Sequence, residues 1–330
     1  MRIAFFDTHP FEQEAFDKAN SNYGHEISYL EPRLIETTAQ LAKGYPCICA
    51  FANDRLNAAS LETLKTGGTK LVALRSAGFN HVDLVSIKRL EMKLVRVPEY
   101  SPYAIAEHVV AMIQTLNRKT HRSYNRVREG NFSLNGLVGF DLHGKTVGII
   151  GTGRIGKVLA RIMTGFGCRV LLNDTLCDQN FADELHCRYT VVEEIFQLSD
   201  IISLHLPLKP ETRHLLGEKE FAQMKKGVML INTGRGALID TKALISALKK
   251  GQVGHAGLDV YEEEEGIFFQ DLSGQILSDD VLARLLTFSN VLITSHQGFL
   301  THEALNNIAE TTLKNISEFE KGELLTNQVT

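Results

Sequence analysis

The chain has 330 residues, 44% of them hydrophobic and 22% charged, with a formal net charge of −4. This is the balance of an ordinary globular protein, and the length suits two domains of about 150 residues each. There is no electrostatic case for nucleic acid, and no apolar run reaches the roughly 20 residues that a membrane span needs.

The first residues have no long apolar core and carry an early Asp7, so they predict a first strand and not a secretory signal. Residues 2–7, 26–30, 47–51, 71–75 and 94–97 are short, mostly apolar runs. Between them lie segments with helical spacing, such as 58–65 and 82–90. Such alternation predicts right-handed β-α-β units and a parallel sheet covered on both faces. Pro98-Glu-Tyr-Ser-Pro102 interrupts the pattern. Ser101 suits an N-cap and Pro102 the first helical position. A long helix is predicted from there to about Arg128, with Ile105, Val109, Met112, Ile113 and Leu116 on one apolar face. It would bridge to a second domain.

Residues 146–156, Thr-Val-Gly-Ile-Ile-Gly-Thr-Gly-Arg-Ile-Gly, predict a buried strand, a tight turn and a helix start. Gly151, Gly153 and Gly156 have the G-x-G-x-x-G spacing. In that spacing the first glycine permits the turn, the second admits a pyrophosphate, and the third lets helix pack on strand. The helix N-terminus offers N–H groups and a positive dipole end to phosphates. Glycine-rich turns of this kind also occur without a ligand, so the context decides. A second strand follows at 169–174, and Asp174 stands 18 residues after Gly156. An acidic side chain there accepts hydrogen bonds from the adenosine ribose of a dinucleotide. No Arg or Lys follows within 175–178 to receive a 2′-phosphate, which favours NAD over NADP.

Further strands are predicted at 200–204, 228–232, 256–260 and 291–294. A final helix at about 302–321 has no place in that second sheet and is assigned to the first domain, which becomes discontinuous. Ligands of such folds lie at the C-terminal strand ends. Arg235, Asp259, Glu264 and His296 fall at or just beyond three successive ones. Taken singly, each reads as a surface or structural residue, and the run Glu262–Glu265 as a solvated loop. Together, beside a cofactor loop, they suggest a reaction site. Five cysteines, an odd number, with no secretory signal argue against disulfides. They read as reduced thiols of a cytoplasmic protein, and with no paired C-x-x-C no metal is expected.

The chain resembles the D-isomer-specific 2-hydroxyacid dehydrogenase family, and within it the bacterial D-lactate dehydrogenase branch. The resemblance covers essentially the whole length. It is carried by residues 97–108 (VPEYSPYAIAEH), the glycine motif, His205-Leu-Pro207, Asn232-Thr-Gly-Arg-Gly236, Leu258-Asp-Val-Tyr-Glu262 and Ser295-His-Gln-Gly-Phe299. It implies an α/β protein of two doubly wound parallel-sheet domains. One is a flavodoxin-like catalytic domain, 1–100 with 299–330, and the other a Rossmann NAD-binding domain, 101–298. It implies Arg235, Glu264 and His296 as the catalytic set. It suggests cofactor contacts from Arg154, Ile155, Asp174, Leu206, Pro207, Thr212, Thr233, Gly234 and Asp259, beside the three motif glycines.

The expected reaction is reversible hydride transfer between NADH and pyruvate, giving D-lactate. His296 would exchange the proton on the substrate oxygen. Glu264 would fix the ring and raise its pKa, and Arg235 would fork onto the substrate carboxylate. Amides of Ser76, Ala77 and Gly78 are expected at that carboxylate, Tyr100 at the substrate side and Phe299 around the methyl group. Tyr100 and Phe299 read equally well as packing residues. The cleft is expected between the domains, with hinges near Tyr100–Ser101 and Gly298–Phe299, and the chain as a homo-oligomer associating through 102–128. Two rivals stay open: a dehydrogenase for a bulkier or phosphorylated 2-hydroxy acid, and an NADH-sensing interaction protein. A phosphate would call for further basic groups in the first domain, where only Arg75 is an obvious one.

Overall fold

A computed structural model describes residues 1–329. The chain forms two compact units, Met1–Ser101 together with the segment from Phe299 onward, and Pro102–Gly298.

The first unit alternates β1 (Arg2–Phe5), α1 (Pro10–Asn20), β2 (Glu26–Tyr29), β3 (Cys47–Ala50), α2 (Ala58–Thr66), β4 (Leu71–Leu74), α3 (Leu84–Arg89) and β5 (Lys93–Val95). Its strands are all parallel, in the order β2-β1-β3-β4-β5. The central strands β3 and β4 are buried along their whole length. That explains why they read as unbroken apolar runs and not as an alternation. Ile48, Leu61, Leu64, Val72 and Leu94 belong to the core beneath one face. Side-chain caps start the helices: Asn57 accepts from the Ser60 amide at 3.0 Å, and Asp83 from that of Ser86 at 3.1 Å.

The second unit opens with α4 (Pro102–Arg118) and α5 (Thr120–Arg128). The single helix expected over 102–128 is therefore two. Lys119 lies between them with φ of 52°, the left-handed region. Asn117 ties the end of α4 to returning chain, donating to the Phe140 carbonyl and accepting from its amide, both at 2.8 Å. The five predicted apolar positions of α4 are all buried, whereas α5 buries none of its residues. Then follow β6 (Thr146–Ile150), α6 (Arg154–Gly165), β7 (Arg169–Asn173), α7 (Gln179–Glu184), β8 (Arg188–Tyr189), α8 (Val192–Leu198) and β9 (Ile201–Leu204). The unit closes with α9 (Glu218–Gln223), β10 (Val228–Asn232), α10 (Thr241–Lys249), β11 (Val253–Leu258), α11 (Asp280–Leu286) and β12 (Val291–Ile293). The seven strands are parallel, in the order β12-β11-β10-β9-β6-β7-β8. Chain direction through the sheet reverses between β6 and β9, and a crevice opens at such a switch point. β8 escaped the sequence reading because two residues carry no period. β11 begins three residues before the predicted 256 because Gly254 and His255 interrupt its apolar run.

The last helix, α12 (His302–Lys321), returns to the first unit and packs on α1 and β4. The predicted α/β class with two parallel sheets is what the chain adopts. Among the described residues, no helix is long and apolar enough to cross a membrane.

Candidate active site

The glycine loop joins β6 to α6, and each glycine stands there for a separate steric reason. Gly151 has φ of 97°, and a Cβ on it would lie 2.6 Å from the His205 carbonyl oxygen at the end of β9. A Cβ on Gly156 would meet the Gly151 carbonyl oxygen at 2.1 Å, so only glycine lets α6 sit this close to the turn. A Cβ on Gly153 would meet nothing within 4 Å, so this backbone faces open space. Gly153 is also the N-cap of α6 and supplies no side chain to its first amides. Arg154 and Ile155 form the first turn. Asp174, just beyond β7, accepts from the Thr152 amide at 2.6 Å and from its hydroxyl at 3.2 Å. Burial would raise the Asp174 carboxyl. The amides of Thr152 and Leu176 outweigh that and hold it below the usual carboxylate range. Thr152, which Tyr189 also bonds at 2.9 Å, was not singled out from sequence although it stands inside the motif.

Across the switch point, β9 leads into His205, Leu206 and Pro207. Desolvation pushes the His205 imidazole down to about 4, so it is neutral near pH 7. The Thr212 hydroxyl is engaged within its own loop, donating to the Pro207 carbonyl at 2.7 Å.

The loop after β10 carries Thr233, Gly234 and Arg235 and is braced by Asn232. Its side chain donates to the Arg235 carbonyl at 2.9 Å and accepts from the Gly234 amide at 3.0 Å. The half-buried Arg235 side chain donates through Nη1 to the Gly234 carbonyl at 2.7 Å. A Cβ on Gly236 would lie 2.0 Å from the Tyr261 carbonyl carbon, so the loops after β10 and β11 touch backbone to backbone. From the second of these, Glu264 reaches His296 beyond β12, with Oε1 2.9 Å from Nδ1. The other Glu264 oxygen accepts from the Tyr261 amide at 3.1 Å. The acidic run is not merely solvated. Glu262 lies 2.5 Å from His214 Nε2 and accepts from the Thr241 hydroxyl at 3.1 Å.

Asp259 is almost completely buried and directed at the backbone around His296. It accepts from the amides of Gln297 and Gly298, each at 2.9 Å, and its own carbonyl accepts from the His296 amide at 2.7 Å. Burial would raise its carboxyl, but bonds from His108 and Thr294 and the nearby imidazoles hold it below the usual range.

The remaining predicted residues belong to the first unit. Ser76, Ala77 and Gly78 follow β4. The Ser76 hydroxyl donates to the Gly78 carbonyl at 2.9 Å, and Arg96 donates to that of Ala77 at 2.7 Å. Phe299 is buried in an aromatic cluster, its ring centre 6.3 Å from each of Phe11, Phe51 and Tyr100. Arg75, the one basic residue singled out in this domain, is almost wholly buried. Its fully buried guanidinium pairs with Glu12 at 2.8 Å and sits between the rings of Phe5 and Phe51, at 4.2 and 4.7 Å.

Residues 110–298 match the family described as D-isomer specific 2-hydroxyacid dehydrogenase, NAD binding domain. The 2-hydroxyacid dehydrogenase homolog 1 of Schizosaccharomyces pombe is 51% identical over 320 residues, covering 97% of this chain and 96% of that one. The apo-structure of D-lactate dehydrogenase from Escherichia coli superposes with a TM-score of 0.92 at 47% identity over all of both chains. The pyruvate reductase of Chlamydomonas reinhardtii does so with 0.94 at 42% identity, covering 99% and 98%. The chain belongs to the D-isomer specific 2-hydroxyacid dehydrogenase family.

As a member of that family, the chain carries its NAD-binding domain in the second unit, and the residues there suit the cofactor. The open face at Gly153 leaves room for a pyrophosphate against the first turn of α6. The Thr233 hydroxyl is buried with no hydrogen-bond partner among the described residues, as expected of a group that a cofactor satisfies. His108 is a further residue that sequence reading passed over. It stands in the 97–108 stretch that carried the resemblance, and its Nε2 lies 3.3 Å from Asp259 Oδ1.

Proposed function

We propose that this dehydrogenase interconverts pyruvate and D-lactate, with His296 as the acid/base, Glu264 as its orienting partner and Arg235 as the carboxylate anchor. The observation that carries the reading is the Glu264–His296 pair, at 2.9 Å, on loops neighbouring Arg235. Full-length similarity to a D-lactate dehydrogenase supports the substrate class.

When bound, reduced nicotinamide supplies a hydride to C2 of the 2-oxo acid. Glu264 accepts a hydrogen bond from the His296 Nδ1–H, which leaves Nε2 to exchange the proton with the substrate oxygen. His296 delivers it to the oxygen of C2 as the alcohol forms, and takes it back when lactate is oxidised. Arg235 presents a planar fork that matches a carboxylate and polarises the neighbouring carbonyl. Ser76, Ala77 and Gly78 supply backbone to the carboxylate side. Tyr100 and Phe299, inside their aromatic cluster, favour a small apolar substituent. The burial of Arg75 against Glu12 removes the basic group that a phosphorylated substrate would call for.

Asp174 receives the adenosine ribose, and Arg154, Ile155, Leu206, Pro207, Thr212, Thr233 and Gly234 line the rest of the dinucleotide path. The free thiols, with Cys177 exposed, suit a reducing cytoplasm. Copies of the chain associate through α5 and the segment that follows it.

The test is NADH oxidation by the purified chain with pyruvate, 2-oxobutyrate, phenylpyruvate and phosphohydroxypyruvate, with chiral analysis of the product. Pyruvate is expected to give the highest kcat/KM and D-lactate. Preference for phosphohydroxypyruvate or phenylpyruvate replaces the substrate assignment, and L-lactate refutes the stereochemical one.

A further inference from the structure

His296 has φ of 52°, a left-handed backbone that a residue with a Cβ seldom adopts. Something must hold it there, and Asp259 does so through the three backbone amides of His296, Gln297 and Gly298. Asp259 is in turn gripped from the side. Thr294 Oγ1 donates to Oδ1 at 2.5 Å, and His108 Nε2 lies 3.3 Å from the same oxygen and 3.2 Å from Thr294 Oγ1. A carboxylate only accepts, so the His108 Nε2 carries the proton and is the donor. The fit is close: a Cβ on Gly298 would stand 2.9 Å from Asp259 Oδ2 and 3.4 Å from the His108 ring.

We infer that His108, projecting from α4, is a positioning residue for the reaction, acting through Asp259 on the backbone that presents His296. The inference rests on the assignment of His296 as the acid/base. Asp259 then braces the His296 loop, its Oδ1 facing three donors, besides the cofactor contact expected of it. Withdrawing the His108 donor leaves Oδ1 to Thr294 and Gln297 alone, so the buried carboxylate is held less firmly. The amides of Gln297 and Gly298 lose a fixed acceptor, and the imaging of His296 onto the substrate oxygen loosens. A displacement of about 1 Å at such a group costs on the order of a hundredfold in turnover.

Two variants separate positioning from packing. His108→Phe keeps the ring and removes the donor, and His108→Gln returns an N–H at nearly the same place. For His108→Phe we expect kcat with pyruvate to fall about tenfold to a hundredfold while KM and NADH affinity stay within about threefold. The peptide spanning 295–299 should exchange its amide hydrogens faster. His108→Gln should restore both kcat and slow exchange. Wild-type exchange in His108→Phe overturns the inference, and so does a loss that tracks a lower melting temperature and is not recovered by His108→Gln. Hydrogen exchange needs no substrate. Should the parent chain turn over no 2-oxo acid, the proposed reaction falls while exchange still decides the role of His108.

Discussion

His296 combines an unfavourable backbone with the proposed acid/base role, a pairing typical of reaction sites. Left-handed φ costs a residue with a Cβ about 1 kcal/mol, and the Asp259 contacts offset it. His296→Gln removes the exchangeable ring proton but keeps polarity and approximate size. Turnover should fall by about a thousandfold with NADH affinity nearly unchanged, read by steady-state assay and fluorescence titration. A variant with parental kcat would remove His296 from the scheme. Arg235→Lys keeps the charge but loses the fork. Its KM for pyruvate should rise at least about tenfold, and a parental KM would refute the anchoring role. The places of both residues just beyond β10 and β12 were legible because strand ends are counted easily from apolar runs. His108 was not, since its partner Asp259 lies 151 residues away in sequence and only the fold makes them neighbours. Nor did the sequence distinguish Glu262 from its three acidic neighbours, because its anchoring contacts, His214 and Thr241 at the start of α10, are distant in the chain.

Elements with one strong signal were the easiest to read. The glycine spacing located β6 and α6, and the burial of all five β6 residues explains its apolar run. Gly156→Ala puts a methyl group 2.1 Å from the Gly151 carbonyl oxygen, so α6 must shift away from the turn. NAD affinity should drop by at least about tenfold and the melting temperature by several degrees, checked by calorimetry. Retained affinity would mean that the turn tolerates a displaced α6. The break at Lys119 was less visible, although the apolar stripe ends at Leu116, a cue for where α4 stops contributing to the core. Beyond the break, Phe132, Leu134 and Val138 are 74%, 79% and 83% exposed and lie close together in the chain. Apolar side chains so placed suit an interface between copies. Phe132→Glu with Leu134→Glu should lower the sedimenting mass of the protein to that of one chain. An unchanged mass would place the interface elsewhere.

At the scale of the whole molecule, both sheets and the return of α12 to the first unit followed from counting strands, because each unit has its own buried core. The ionisation of the interior could not be read that way, since it depends on which side chains the fold strips of water. Burial lowers the pKa of His25, His121, His205 and His255, that of His205 to about 4. Each therefore stays neutral in the fold at pH values where the unfolded chain, with an ordinary value near 6.5, binds a proton. Between the two values the unfolded state holds more protons, so stability rises with pH there and falls on acidification. The His205 contribution is complete above about pH 6.5 and is lost as pH drops toward 4. The carboxyls of Asp174, Asp200 and Asp259 are also lowered, from an ordinary value of 3.8. Their share is lost only below that value, so the two windows separate. The melting temperature should decline from pH 7 to pH 4.5. His205→Gln keeps a group able to bond Ser203, which lies 2.9 Å from the imidazole, and removes the titration. Its curve of melting temperature against pH should be flatter than the parent's over that interval. Parallel curves would mean that His205 is solvated enough to titrate normally, and the acid sensitivity would then rest with His25, His121 and His255.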